Sequence, residues 1–148
     1  MALKIFFKMS GINFKYKIEG GDFTNAGKAS SEIKRTLKQL NIAPKTIKRV
    51  VVSLYEAEVN IVAHAHRGDI DVNINSKDIN IVLKDEGPGI ADIDKAMEVG
   101  FSTASASVIS MGFGAGMGLP NMKKNSDFMN IKSEVGIGTT ITLKVALM

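Results

Sequence analysis

Cysteine is absent from the 148-residue chain. That absence removes disulfide bonds, thiol nucleophiles and cysteine-held metal centres together, although it is silent on redox compartment. No apolar run approaches the roughly 20 residues a helix needs to cross a bilayer. The opening MALKIFFKMS is interrupted by Lys4 and Lys8 before a secretory core could form. A cytoplasmic protein with no membrane contact is the expectation. Internal repeats and domain linkers are also missing, so residues 1–148 are expected to form one domain, a length at which about 70% of the unfolded surface can be buried. Apolar residues make up 45% of the chain and charged residues 23%, the balance of a soluble globular protein.

Charge is unevenly spread. The net charge of +4 divides into +8 over residues 1–50 and −4 over residues 51–148. Lys34, Arg35, Lys38, Lys45, Lys48 and Arg49 crowd the basic part, which could face an acidic protein or nucleic acid. Nucleic acid is disfavoured, because neither interleaved aromatics nor a recognised binding module accompanies the charge. Lysines on the outer side of amphipathic helices are more commonly a solvated face.

Apolar periodicity alternates between two and about 3.6. Phe14, Tyr16 and Ile18 alternate with lysines as in a strand, and EGGD at 19–22 turns the chain. Ala29, Ile33, Leu37 and Leu40 predict a helix over about 25–40, closed by Asn41; Pro44 opens a second helix reaching about Ala65, with Ile47, Val51, Leu54 and Ile61 as its core stripe. Ile70, Val72 and Ile74 form a strand, SKD at 76–78 a hairpin, and Ile79, Ile81 and Leu83 the returning strand. A short helix near 92–99, a Gly- and Ser-rich segment over 100–118, a helix begun by Pro120, and strands near 129–133 and 139–145 around a GIG turn complete the chain. The predicted class is α+β, a two-layer α/β sandwich with helices on one face of a mixed, mostly antiparallel sheet.

Three groups of residues carry candidate chemistry. In YEAEVNIVAH, Glu56, Asn60 and His64 recur every four residues and share one helix face, adjacent members about 5–6 Å apart at Cβ. A solvent-facing stripe is the plain reading, and Glu58, on another face, needs no chemistry at all. Asn60 shifts the balance, since its amide oxygen is a neutral hard ligand that suits hydrated magnesium. Glu56 beside it could take a proton from, or orient, a hydroxyl or water attacking a phosphoryl group. The second group is KDEGPGI at 84–90, a carboxylate and two glycines at the end of an apolar strand. The third is MGFGAGMGLPNMKK, with Gly112, Gly114, Gly116 and Gly118 directly ahead of a helix, where bare backbone amides can curl round phosphate oxygens. A dinucleotide fingerprint fails here because Met117 and Leu119 stand where its third glycine belongs. A P-loop also fails, with Asp22 in place of its first glycine and Ala29 in place of its hydroxyl residue.

Glu56 and Asn60, then DEGPGI, GFGAGMGL and GIGTT, resemble in order and spacing the GHKL ATP-binding superfamily of gyrase, histidine kinases and MutL. The likeness covers roughly residues 50–145. Within that group the chain is most similar to small bacterial anti-sigma regulatory factors that act as serine/threonine protein kinases, through VGFSTA at 99–104, GMGLPNMKK at 116–124 and SEVGIGTT at 133–140. The resemblance implies the Bergerat, or histidine-kinase-like ATPase, fold, with ATP and Mg2+ held between the helical side of the sheet and a mobile lid of about residues 100–118. It makes Asn60 the magnesium ligand and Glu56 the catalytic base. Asp85 would accept from the adenine amino group, while Gly87 and Gly89 would let the backbone approach base and ribose where a Cβ would clash. Thr139 and Thr140 match the adenine-side threonine position; Gly112, Gly114, Gly116 and Gly118 would meet the phosphates, with Leu119 beside them and Lys123 neutralising charge. His64 matches a family histidine to which no role attaches, and a hydrogen-bonded core histidine is the plainer reading. The insert SASVISM at 105–111 departs from the closest kinases and leaves the lid's contacts open.

The implied activity is transfer of the ATP γ-phosphoryl group to a serine or threonine of a STAS-domain antagonist protein. One alternative is a factor that sequesters a sigma subunit, nucleotide serving only to order the lid; Glu56 favours catalysis, since binding alone needs no base. Another is a histidine-kinase-like ATPase module acting in trans, disfavoured because no helical hairpin carrying a phospho-acceptor precedes the domain. Related factors often dimerise, so a homodimer is also implied.

Overall fold

The computed structural model describes residues 11–101 and 117–147. Its elements run β1 (Ile12–Glu19), α1 (Lys28–Gln39), α2 (Pro44–His64), β2 (Arg67–Ile74), β3 (Asp78–Glu86), α3 (Ile93–Ala96), α4 (Gly118–Lys124), β4 (Phe128–Glu134) and β5 (Gly138–Ala146). The strands form one sheet in the order β1-β2-β3-β5-β4. Every described pairing is antiparallel, so the mixed character expected of the sheet is not seen among these residues.

Strand alternation sorts the side chains into two faces. Ile70, Val72 and Ile74 of β2 stand opposite Leu83, Ile81 and Ile79 of β3, which in turn meet Ile141, Leu143 and Val145 of β5. All nine are buried. They face the helices, where Ile33 and Leu37 of α1, Ile47, Val50, Leu54, Ala57 and Ile61 of α2, and Leu119 and Met122 of α4 complete a single core. Rows such as Lys17, Asp69, Lys84, Thr140 and Lys132 cover the other face. This is the predicted two-layer arrangement with helices on one side.

Local signals set the boundaries. Asn41 adopts φ 57 just beyond α1, the left-handed stop its residue type allows. Pro44 occupies the first turn of α2. In the β2–β3 hairpin Asn75 Oδ1 accepts from the Lys77 and Asp78 amides at 2.8 and 3.0 Å, a side chain standing in for a backbone turn. The α4 helix begins at Gly118, two residues before the proline expected to open it. Arg49 on α2 makes a two-pronged pair with Asp127 at 3.2 and 3.0 Å, and Asp127 also accepts from the Ala146 amide at 2.8 Å. The Arg49 bond, then that amide, hold the Asp127 carboxyl below its ordinary pKa.

Glu58 overturns its expected place on a solvated face. Its side chain is fully buried. Its Oε2 accepts from the Gly27 and Ala29 amides at 2.8 and 3.3 Å, and its Oε1 from the Ser30 amide at 2.7 Å. The first turn of α1 has no local side-chain cap and is preceded by Gly27 at φ 98. Glu58 supplies the missing acceptors from the neighbouring helix. Glu58→Ala is therefore expected to cost roughly 2–4 kcal/mol, because each buried donor left unmet costs about 1–3. Urea unfolding should show this as a lower midpoint; a variant within about 0.5 kcal/mol of wild type would show that water replaces the carboxyl group.

Candidate functional site

The inward row of β3 runs Ile79, Ile81, Leu83 and then Asp85, so the period that builds the core also aims this one acid toward the helical layer. Asp85 Oδ1 accepts from the Thr139 amide at 3.1 Å. Among the described residues no donor reaches Oδ2, which leaves that oxygen as an acceptor for a ligand. Burial raises the carboxyl pKa above its ordinary value, and the Thr139 bond opposes the rise. Thr139 Oγ1 lies 2.8 Å from Ser133 Oγ, which also accepts from the Ile90 amide at 2.7 Å. One small network therefore joins the DEGPGI loop to β4 and β5.

The glycines in this region are demanded by the protein itself. A Cβ on Gly89, at φ 73, would strike the Glu134 carbonyl, and one on Gly87 would lie 3.1 Å from Ala65 Cα. A Cβ on Gly138 would strike the Asp85 carbonyl. Gly87 N donates to Ile137 O at 3.0 Å and Gly136 N to Pro88 O at 2.8 Å, locking loop to turn. The expected reason for Gly87 and Gly89, approach of a nucleotide, thus meets a prior one: close packing of backbone on backbone. Gly118 differs. Its φ is ordinary, and among the described residues a Cβ there would meet only Glu56 Oε2, at 3.7 Å. The described residues leave that position open.

The α2 helix links the two ends of the site. Ala65, just past its last turn, abuts Gly87, while Glu56 abuts the first turn of α4. Glu56 and His64 are roughly 12 Å apart along the axis, with Asn60 between them. All three are half-buried. Burial lowers the His64 pKa, favouring a neutral imidazole. Glu56 Oε2 accepts from Asn121 Nδ2 of α4 at 3.1 Å.

Several expected positions are relocated. Thr139 and Thr140 cannot act as a pair, because the pleat sends them to opposite faces: Thr139 is buried beside Asp85, while Thr140 lies on the outer face between Lys84 and Lys132. Leu119 is 8% exposed, and its side chain belongs to the core, since the first turn of α4 packs inward there. Lys123 is exposed on α4, as a solvated lysine would be. Gly112, Gly114, Gly116 and the insert 105–111 lie outside the described residues, as does most of the expected lid. Sequence reasoning missed Ser133 and Asn121. Ser133 had a usable signal, an inward polar residue directly across from Thr139. Asn121 had none, because its partner is 65 residues away.

This arrangement of helix stripe, strand-end carboxylate and glycine turn has known counterparts. A family model described as histidine kinase-, DNA gyrase B-, and HSP90-like ATPase matches residues 45–148. The chain belongs to this ATPase family. It is 34% identical over 108 residues to serine/threonine-protein kinase RsbT of Bacillus subtilis, covering 70% of this chain and 75% of that one. It is 35% identical over 102 residues to anti-sigma F factor of Geobacillus thermodenitrificans, covering 65% of each, a little under two thirds of that relative's length. The fold matches a chain in the crystal structure of the SiaB-SiaC complex from Pseudomonas aeruginosa with TM-score 0.58 and 11% identity, over 98% of this chain and 95% of that one. Membership of the ATPase family makes ATP the nucleotide to which this geometry answers.

Asp85→Asn separates binding from folding. The folded pKa of Asp85 is raised, so its contribution to stability is fully present below the unfolded value of 3.8 and is lost as pH rises through the folded value. At neutral pH the charged carboxyl is a burden that Asn removes while still accepting from the Thr139 amide. The melting temperature of Asp85→Asn is thus expected to equal or exceed that of wild type at pH 7, with the advantage vanishing near pH 3.8. The amide would turn its NH2 to the ligand, so calorimetry should show ATP binding lost. A variant that binds ATP normally would remove Asp85 from the site.

Proposed function

We propose that the chain is a serine/threonine protein kinase of the anti-sigma regulatory type, moving the γ-phosphoryl group of Mg-ATP to a hydroxyl of a STAS-type partner protein. The observation that carries this reading is the position of Glu56, at the end of the α2 stripe remote from Asp85 and against the first turn of α4. Adenine lies at the Asp85 end, with its amino group donating to Oδ2. The phosphates lie at the Glu56 end, where Gly118 presents backbone without a side chain. The similarity to a protein named a serine/threonine kinase supports the same assignment.

Among the described residues no cluster of three or more acidic or histidine side chains is built to hold a metal alone. A single amide oxygen at Asn60 fits an ion that arrives with the nucleotide and draws its other ligands from phosphate and water. Bound there, Mg2+ supplies neutralisation of charge on the phosphate oxygens. The protein's own residues do the rest. Asp85 fixes the base, Asn60 orients the metal-bearing phosphates, and Glu56 accepts the proton of the incoming hydroxyl as its oxygen bonds to the γ-phosphorus. The bond from that phosphorus to the bridging oxygen breaks, and its electron pair leaves with ADP. The fold operates in the cytoplasm as a single domain.

A second reading, sequestration of a sigma subunit, is favoured by the similarity to anti-sigma F factor. The two are separated by incubating the chain with γ-labelled ATP, magnesium and a candidate STAS-domain protein. Label is expected on the partner with wild type and not with Glu56→Ala, which should still bind nucleotide. Equal labelling by both would refute Glu56 as base; a tight sigma complex without any labelled protein would favour sequestration.

A further inference from the structure

We infer that Asn121 is a positioning residue that holds Glu56 in its working orientation, an inference that rests on Glu56 acting as the base. Glu56 is only half-buried and carries three side-chain torsions, so its place on α2 does not by itself fix where its oxygens point. Asn121 does so through the 3.1 Å bond from Nδ2 to Oε2. A carboxylate can only accept, which sets the orientation of the Asn121 amide as well. With Oε2 engaged by Asn121, Oε1 is the oxygen left to take the proton of the reacting hydroxyl.

The donor is mounted on a rigid base. Leu119 and Met122, on either side of Asn121, are buried in the core. The Asn121 carbonyl accepts from both the backbone amide and the side-chain amide of Asn125, at 3.1 and 2.9 Å, which closes the turn that bears it. Gly118, one turn earlier, adds no side chain to compete for Oε2. The base is thus held by the helix that follows the glycine-rich segment, and the element next to the phosphates also orients the group that accepts the proton. A hydrogen bond to a charged group of this kind corresponds to roughly a 10- to 100-fold effect on the step it supports.

The test needs no partner, because water can take the place of the hydroxyl. Phosphate release from Mg-ATP by the full chain under single-turnover and steady-state conditions gives kcat and KM, with calorimetric ATP affinity and melting temperature alongside. Asn121→Asp has the same shape but replaces the donor by an acceptor facing a carboxylate. It and Asn121→Ala are expected to lower kcat roughly 10- to 100-fold, leaving KM, ATP affinity and melting temperature close to wild type. Asn121→Gln, which keeps the amide, should restore most of the rate. In a Glu56→Gln background, Asn121→Asp should cause no further loss, since both changes act on one step. Full activity of Asn121→Asp beside an inactive Glu56→Gln would overturn the inference and leave the base assignment standing. Losses that track melting temperature, with no recovery by Asn121→Gln, would reduce Asn121 to a structural role. Wild-type rates in Glu56→Gln would remove the base, and this inference with it.

Discussion

The 3.1 Å hydrogen bond from the Thr139 amide to Asp85 Oδ1 is the contact on which the site depends. It joins the ends of two neighbouring strands and, among the described residues, leaves Oδ2 as the carboxyl oxygen without a donor. Strand alternation sends Asp85 inward, and inward at that height means the rim of the core rather than open water. The raised carboxyl pKa is the result. An acceptor in such a place discriminates more sharply than one in bulk solvent, because an unmet partner there is not easily satisfied by water. In the proposed role, a purine offering an amino hydrogen would be accepted, and one offering a carbonyl would set acceptor against acceptor.

The long α2 helix converts that local arrangement into a molecule-wide one. One side, with Val50, Leu54, Ala57 and Ile61, is buried against the rest of the core. A second face sends Glu58 into the unprotected first turn of α1. A third carries Glu56, Asn60 and His64 past the site. Because these faces belong to one rigid element, the packing that stabilises the fold also sets the separation between the Gly87 end and the Glu56 end of the site. Arg49, two turns before Glu56, ties the same helix to the start of β4 and the end of β5.

Much of this could be read in the amino-acid sequence wherever the physics is local. Period two identified the inward strands and with them Asp85; Asn41 and Pro44 marked helix ends through their own backbone preferences; spacing by four grouped Glu56, Asn60 and His64. The failures share one cause, in that their reasons lie far along the chain. Glu58 read as surface because the amides it caps are 28–31 residues upstream. Asn121 carried no signal because Glu56 is 65 residues away. Thr140 was grouped with Thr139 by motif although alternation separates them, a local rule that should have prevailed. Gly87 and Gly89 were marked for a nucleotide's approach, whereas the backbone a Cβ on either would meet is the protein's own, at Ala65 and Glu134.

The central claim is that a single half-buried carboxylate at the end of β3 selects the nucleotide. Isothermal calorimetry of the wild-type chain with Mg-ATP and with Mg-GTP tests it most directly. The account predicts measurable binding of the adenine nucleotide and an affinity for the guanine nucleotide weaker by at least about tenfold, the equivalent of about 1.4 kcal/mol. Equal affinities, or no heat with either, would contradict it.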